Sequence, residues 1–238
     1  MTQAPTQATE KLEPGEAASR PMRKDALRNR ELLIEAAREV FAARGLEASL
    51  DDIARHAGLG VGTAYRHFGN KYELVSAIAE QEFARVVGFA EQALTVEDTW
   101  AAIIGFFEQL LALQADSRGL REVFMGAHDT SELEEMQERL LGPLTALLER
   151  AQQAGTVRAD ADPSDLGFFI LMLCTVTDVA GDVAPQLWRR YLPLVLAGLR
   201  PGGDEFGAAA ISSDELRVAI TEHKHTMARA VEHSRPVR

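Results

Sequence analysis

Thr63, Arg66 and His67 lie within five consecutive positions of the sequence. Their side chains suit hydrogen bonding to a ligand rather than bond cleavage, because a guanidinium binds a guanine edge or a phosphate and the other two groups donate or accept. Tyr65 adds a hydroxyl on a rigid ring that can reach a phosphate. Lys71 adds a cation at the start of a following helix, whose free N–H groups attract anions. These residue types at this spacing indicate recognition of a nucleic acid.

Sequence patterns of enzymes and metal sites are missing: the chain has no HExxH, GxSxG, GxxxxGK[ST] or paired CxxC motif. His128 and Asp129 could form part of a catalytic dyad, but no nucleophile can be placed beside them. His223 and His225 are two positions apart, so they do not share a helix face. We therefore expect no enzyme, no metal site and no cofactor.

The elements that position the candidate residues are a short helix, a turn and a second short helix over residues 50–71. Ser49 suits the N-cap of the first helix, with Asp52 three residues later to complete it. Gly58 suits the left-handed conformation that ends a helix. The apolar residues of the first helix recur on one face, at Leu50, Ile53, Ala54 and Ala57.

In the second helix, Ala64 and Phe68 are four positions apart and point towards a core, whereas the polar residues point elsewhere. Gly62 removes a side chain where two backbones would crowd. Seven residues give a rod of about 10 Å, which fits a major groove about 12 Å wide. This pattern predicts a helix-turn-helix reader. The alternative is a helical hairpin packed inside a larger helical protein, in which Tyr65 and His67 are ordinary half-buried residues.

Residues 28–78 resemble the tetracycline-repressor (TetR) family of bacterial transcriptional regulators. The matching segments are LLIEAAREVFAARG, SLDDIARHAG and GVGTAYRHFGNKYEL. The resemblance implies that six residues face the DNA groove: Val61, Gly62, Thr63, Tyr65, Arg66 and His67. It also implies that Ser49 and Lys71 hold the DNA backbone. The chain departs from the family pattern at Gly60, where a serine cap is frequent, and at Asp51, where a basic residue sometimes stands.

With 46% of its 238 residues hydrophobic, the chain can form a real core. Aromatic residues are few, at 6%, and no valine–isoleucine alternation occurs, which indicates an all-α protein. The net charge is −11, yet residues 20–71 carry ten Lys and Arg against seven acids, which leaves −14 for the rest. A basic end on an acidic body orients a molecule towards phosphate.

Four regions are predicted along the chain. Residues 1–24 form a flexible tail with a basic end, whose Arg23 and Lys24 either reach the DNA backbone or minor groove or are simply solvated. Residues 25–71 form the helix-turn-helix DNA-binding domain, residues 72–201 an effector-binding and dimerisation domain, and residues 202–238 a linker and an extra helix over 214–231.

Further helices are expected at 25–44, at 71–94, at 97–115, at 131–153 with a kink or break at Pro143, at 163–180 and from Pro185 to about 199. The family resemblance implies that the last two pair with those of a second copy in a four-helix bundle.

Three features bear on the cellular location. The single Cys174 excludes an internal disulfide and a cysteine-based zinc site, as in a reducing cytoplasm. No signal peptide is expected, because residues 1–24 lack an apolar segment. The most apolar run, 166–177, spans twelve residues and is too short for a membrane helix. We expect a cytoplasmic protein without a membrane partner.

A cluster of aromatic and other apolar residues favours either an ordinary core or, through the family resemblance, a pocket for a small organic effector. Its members are Trp100, Phe106, Phe107, Leu110, Phe124, Met125, Phe169 and Met172. Asp178 and Asp182 could receive a cationic ligand, or they lie on a solvated or dimer-facing side.

The resulting hypothesis is a homodimeric repressor that reads a palindromic operator, with half-sites about 34 Å apart, and is released by a small hydrophobic effector. One alternative is an activator or a regulator without an effector. The other is a helical small-molecule binding protein without specific DNA readout.

Overall fold

The computed structural model describes residues 14–115, 130–180, 183–212, 214–216, 218–219 and 222. Within these ranges the chain forms helices joined by turns, so the predicted all-α class is confirmed. The helices are α1 (Pro14–Arg44), a 3₁₀ turn (Gly45–Glu47), α2 (Leu50–His56), α3 (Val61–His67), α4 (Lys71–Ala93), α5 (Thr99–Ala115), α6 (Thr130–Gln153), α7 (Pro163–Ala180) and α8 (Trp188–Ala197).

The first three helices and the start of α4 share one apolar core. Four apolar residues at helical spacing in α1 are buried: Leu33, Ala37, Val40 and Phe41. Gly45, with φ of 65°, ends α1. The predicted start at Asp25 is wrong, because α1 already begins at Pro14, where a proline is compatible with the first helical turn. The expectation of a tail over residues 1–24 therefore fails from Pro14 onwards.

The helix α5 is the centre of the second half, in contact with α4, α6, α7 and α8. Its Ile103, Phe106, Phe107 and Leu111 are fully buried, as expected for a helix that is apolar nearly all round. It begins at Thr99 rather than at residue 97. The reason is Asp98, whose Oδ1 accepts hydrogen bonds from the backbone N–H groups of Trp100 and Ala101 at 2.9 and 3.0 Å.

At Pro143, where a kink or break is predicted, no break occurs, because α6 continues through the proline. The proline leaves only the carbonyl of Arg139 without its usual helical donor. The helix α8 begins at Trp188, because residues 185–187 form a turn rather than the first helical residues.

The length of α7 differs from the expectation that the apolar segment is too short to cross a membrane. The apolar run has twelve residues, but the helix that contains it has 18 residues and is long and apolar enough to cross a membrane by length and composition. In this fold one face of α7 is buried by Leu166, Leu173 and Cys174, and the helix contacts α5, α6 and α8.

The C-terminal segment begins with a cap that the sequence reading missed. Ser212 and Glu215 form reciprocal hydrogen bonds of 2.8 to 3.2 Å, and this lowers the pKa of the Glu215 carboxyl below its ordinary value. The described residues of 214–222 are helical, and the rest of the predicted 214–231 helix, including His223 and His225, lies outside the described residues. Leu216 packs on α7 beside Gly167. The contact is so close that a Cβ on Gly167 would lie 2.6 Å from Cδ2 of Leu216.

Candidate DNA-binding surface

The start of α2 is fixed by a complete capping box. The Ser49 hydroxyl accepts from the backbone N–H of Asp52 at 3.1 Å, and the Asp52 carboxylate accepts from the backbone N–H of Ser49 at 3.1 Å. These hydrogen bonds, helped by the charges of Arg44 and Arg55, lower the pKa of Asp52 below its ordinary 3.8. The sequence-based assignment of Ser49 as N-cap is confirmed.

The turn between α2 and α3 requires a glycine. Gly58 has φ of +67°, in the left-handed region that other residues avoid, so its predicted role is confirmed. At the start of α3, Gly60 is the N-cap and makes no side-chain hydrogen bond, which is the consequence of the missing serine noted in the sequence. This turn fixes the angle at which α3 leaves α2.

The helix α3 divides into a buried side and an open side. Ala64 and Phe68 are buried, as predicted. Among the six residues predicted to face a groove, Thr63 and His67 are half-buried and the others are exposed, namely Val61, Gly62, Tyr65 and Arg66. The exposed four lie at i, i+1, i+4 and i+5, so the structure brings them onto one helix face. Their contact with DNA remains a prediction.

Tyr65 lies beside Asp51, a contact that was not predicted from the sequence. The ring is 50% exposed, and the neighbouring Asp51 carboxylate raises the pKa of the Tyr65 hydroxyl above its ordinary 10.0, chiefly through its charge. The hydroxyl thus stays protonated and can donate. The acid at the position that is sometimes basic in the family therefore acts on Tyr65, one helix away.

Two residues expected to hold the DNA backbone already have partners within the protein. The Ser49 hydroxyl donates to Asp52 Oδ2 at 2.7 Å, so in this conformation its proton is not available to a phosphate. Lys71 Nζ donates to the carbonyl of Leu46 and so ties α4 to the 3₁₀ turn after α1. An ammonium has three donors, so two remain for a phosphate beside the start of α4.

The two basic residues assigned to a flexible arm lie in α1 instead. Lys24 is exposed, and the side chain of Arg23 lies outside the described part of the structure. Any contact that Lys24 makes with DNA is therefore made from a helix, which corrects the expected arm.

The junction between α3 and α4 is held by residues that were not singled out in the sequence. Asn70 caps α4 by accepting from the backbone N–H of Glu73 at 3.0 Å, and Glu73 accepts in return from the backbone N–H of Gly69 at 2.8 Å. The guanidinium of Arg30 lies 5.1 Å from the ring centroid of Phe68. The Asn-x-x-Glu spacing was the available signal for this cap.

The predicted effector residues differ in burial. Phe106 and Phe107 meet edge to face with centroids 5.5 Å apart, and with Leu110 they are buried in the core. Phe169 is half-buried, whereas Met172 is 48% exposed. A helix that is apolar on every side does not reveal which face turns inward, and the assignment of these residues to an effector pocket remains a prediction.

Of the remaining effector candidates, only some belong to the described residues. Phe124, Met125 and Asp182 lie outside the described residues. Asp178 is exposed on α7, consistent with the solvated or dimer-facing reading. Trp100 lines a pocket between α5 and α8.

The sequence matches two family models, one for each half. Residues 33–78 match the model described as bacterial regulatory proteins, tetR family. Residues 98–201 match the model described as transcriptional regulator SbtR-like, C-terminal domain.

Known proteins give the same assignment. A TetR transcription regulatory protein from Mycobacterium vanbaalenii is 35% identical, with a TM-score of 0.56 over 76% of this chain and 99% of that one. A TetR transcriptional regulator from Streptomyces coelicolor is 26% identical, with a TM-score of 0.55 over 73% and 99%. A curated HTH-type transcriptional regulator from Staphylococcus aureus is 40% identical over 62 residues, which are 26% of this chain, and the match spans about a third (34%) of that relative. The chain therefore belongs to the TetR family of transcriptional regulators, with an N-terminal helix-turn-helix domain followed by a helical domain.

Proposed function

We propose that the protein is a cytoplasmic, homodimeric repressor that binds a palindromic operator and is released by a small organic effector. The observation that carries the DNA-binding part of this proposal is the open face of α3, held at a fixed angle by the Gly58 turn and the caps at Ser49 and Asn70. Arg66 is the best candidate for a guanine edge on this face, because a guanidinium can make two parallel hydrogen bonds there.

Gly62 supports a close approach between α3 and DNA. A Cβ built on it meets nothing within 4 Å, so the folded protein itself has space for a side chain at this position. Glycine lowers helix stability relative to alanine by up to about 1 kcal/mol, so the fold alone favours alanine here. We infer that the space is needed by the DNA.

The test compares Gly62→Ala with Gly88→Ala, a glycine in α4 that also has nothing within 4 Å of a built Cβ. Binding is measured by fluorescence anisotropy on DNA from upstream of the protein's own gene, at about 150 mM salt with random competitor to suppress non-specific binding. Neither variant should lose thermal stability. Gly62→Ala should weaken operator binding at least about tenfold, as for one disturbed base-pair contact, and Gly88→Ala should not. Equal affinities for both variants and the wild type would contradict this assignment of the reading face.

The dimer proposal is supported by an apolar surface across α7 and α8. Phe168 and Met172 on α7 are 38% and 48% exposed, and Tyr191 and Leu194 on α8 are 39% and 66% exposed. A contiguous exposed apolar surface of this kind marks an interaction site in a monomer. A second copy that covers both helices would place two copies of α3 on one side of the dimer, as a palindromic operator requires.

Repression itself is tested in a reporter strain in which the operator controls a measurable gene. Deletion of the gene that encodes the protein should raise expression of the reporter gene. A fall in expression would favour the activator alternative, and operator binding that no metabolite alters would favour a regulator without an effector.

A further inference from the structure

A pocket of about 410 Å³ lies between α5 and α8, away from the DNA-binding surface. It is lined by Trp100, Ile104 and Glu108 of α5 and by Trp188, Arg189, Leu192, Pro193, Leu196, Ala197 and Arg200 of α8 and the turn after it. The volume is within the range of sites for small molecules, roughly 300–1,000 Å³. We call it the α5–α8 pocket.

One end of the pocket carries a cation that is already positioned. The guanidinium of Arg200 lies 3.8 Å from the ring centroid of Trp100. Stacking on an aromatic ring uses the face of a guanidinium and leaves its N–H edge for other partners. Arg200 makes no ion pair or side-chain hydrogen bond with any residue in the described ranges. Its donors are therefore available to an anion.

The opposite end differs in charge and in bonding. Glu108 lies eight residues along α5 from Trp100, about 12 Å away, and is exposed. Arg189 stacks on Trp188 with its guanidinium 4.4 Å from the ring, and its Nε donates to Gln186 at 2.6 Å. The end near Arg200 is thus the one that attracts a negative group, because Glu108, the acid found among the described residues that line the pocket, lies at the other end.

Between the two ends, the wall is apolar. Leu192 and Leu196 are buried and Ile104 is half-buried. Trp188 is 1% exposed, so it closes the wall of the pocket from behind rather than offering a free polar group to a ligand.

We propose that the α5–α8 pocket binds an apolar monocarboxylate. The carboxylate pairs with Arg200, and the apolar body lies on Ile104, Pro193 and Ala197, which line the pocket and are at least partly exposed. A ligand with a second negative group is disfavoured by Glu108, and an uncharged one leaves Arg200 without a partner.

The pocket also has a route to the dimer surface. Arg189, Pro193 and Ala197 line the pocket, whereas Tyr191 and Leu194 on another face of α8 belong to the exposed apolar surface. A ligand that displaces α8 changes the surface through which two copies meet, and with it the spacing of the two α3 helices. This regulatory step rests on the proposed repressor function, whereas ligand binding does not.

The two tryptophans of the chain both line this pocket, so intrinsic fluorescence reports on it directly. The full-length protein is titrated with octanoate, octanol and octylamine, which share an apolar chain and differ in charge, and with benzoate to distinguish an aliphatic from an aromatic acid. We expect saturable changes with an acid, and weaker ones with octanol and octylamine. An equal response to octanol, or no saturable response to either acid, would overturn the proposal.

The variants are Arg200→Gln and, as a matched control, Arg190→Gln, an exposed arginine of α8 that does not line the pocket. Removal of one charge-assisted hydrogen bond should weaken carboxylate binding roughly tenfold in the first variant and not in the second. The rise in melting temperature with octanoate gives a readout independent of fluorescence. Equal affinity in both variants, with both folded, would overturn the role of Arg200.

Operator binding is measured separately by anisotropy with and without the bound acid. Weaker operator binding in the presence of octanoate would support the regulatory step. Octanoate binding without any effect on operator affinity would overturn that step alone, and loss of specific DNA binding altogether would overturn the proposed function while the ligand site stands.

Discussion

The buried carboxylate of Glu82 joins α4 to the helix-turn-helix domain. Glu82 is 1% exposed, and each of its oxygens has one arginine partner: Arg38 Nη2 at 2.7 Å and Arg85 Nη1 at 2.7 Å. Arg38 belongs to α1 and also donates to Gln81 at 2.9 Å, whereas Arg85 is on α4 itself, three residues from Glu82. The two arginines therefore provide a matched pair of variants.

We expect Arg38→Ala to destabilise the protein by about 2 kcal/mol. Removal of one partner from a buried ion pair costs about 3–5 kcal/mol, and the value is reduced here because the Arg38 side chain is 30% exposed and therefore screened by solvent. Arg85→Ala should cost about 0.5 kcal/mol, because this side chain is 53% exposed and the contact is within one helix.

Urea unfolding at a fixed protein concentration measures the difference, since the stability of a dimer depends on concentration. With a slope of about 2 kcal/mol/M, the midpoint should fall by about 1 M for Arg38→Ala and by about 0.25 M for Arg85→Ala. Arg38→Ala should also weaken operator binding more than Arg85→Ala does, because α1 loses a contact that orients it on α4. Equal shifts of the urea midpoint for the two variants would refute the argument that the Arg38–Glu82 ion pair holds α1 against α4.

Three further outcomes are expected. Gly58→Ala should cost about 1–2 kcal/mol in urea unfolding through its positive φ, since a methyl group there meets no atom within 4 Å, and an unchanged midpoint would contradict the strain. The pKa of Asp52 is lowered in the folded state, so the stability that its carboxylate contributes is complete above pH 3.8 and is lost as the pH falls through the lowered pKa. Urea unfolding at acid pH should therefore show a smaller loss of folding free energy in Asp52→Asn than in the wild type. Leu194→Asp should convert the dimer to monomer in sedimentation measurements, whereas Val96→Asp, at an exposed loop residue, should leave the dimer intact.

In the helix-turn-helix domain, the features that could be predicted from the sequence are local ones. A capping box and a left-handed glycine each depend on residues within a few positions, so Ser49, Asp52 and Gly58 were identified correctly. The partners of Tyr65 and Lys71 were missed for the opposite reason. Asp51 and Leu46 are 14 and 25 residues away, respectively, and only the folded chain brings them close.

The second half of the chain shows the limit of periodicity. In α5 and α7 apolar residues occur on every side, so the pattern predicts burial without direction. Phe106 and Met172 were therefore assigned to the same pocket, although one is fully buried and the other is 48% exposed. Trp100 and Trp188 line the same pocket, but this depends on how α8 packs on α5, which is a tertiary property.

The far end of α4 is clamped by one side chain. Arg150 of α6 donates to the carbonyls of Leu94, Val96 and Glu97, just beyond the C-terminus of α4. The 23 residues of α4 extend about 34 Å from this clamp to Lys71 at the DNA-binding end. If α4 tilts as a rigid body about this clamp, a tilt of about 5° moves Lys71 by about 3 Å, comparable to one base-pair step of about 3.4 Å. On the proposed operator, a displacement of less than 1 Å close to the clamp would then be sufficient to move α3 out of register with its half-site.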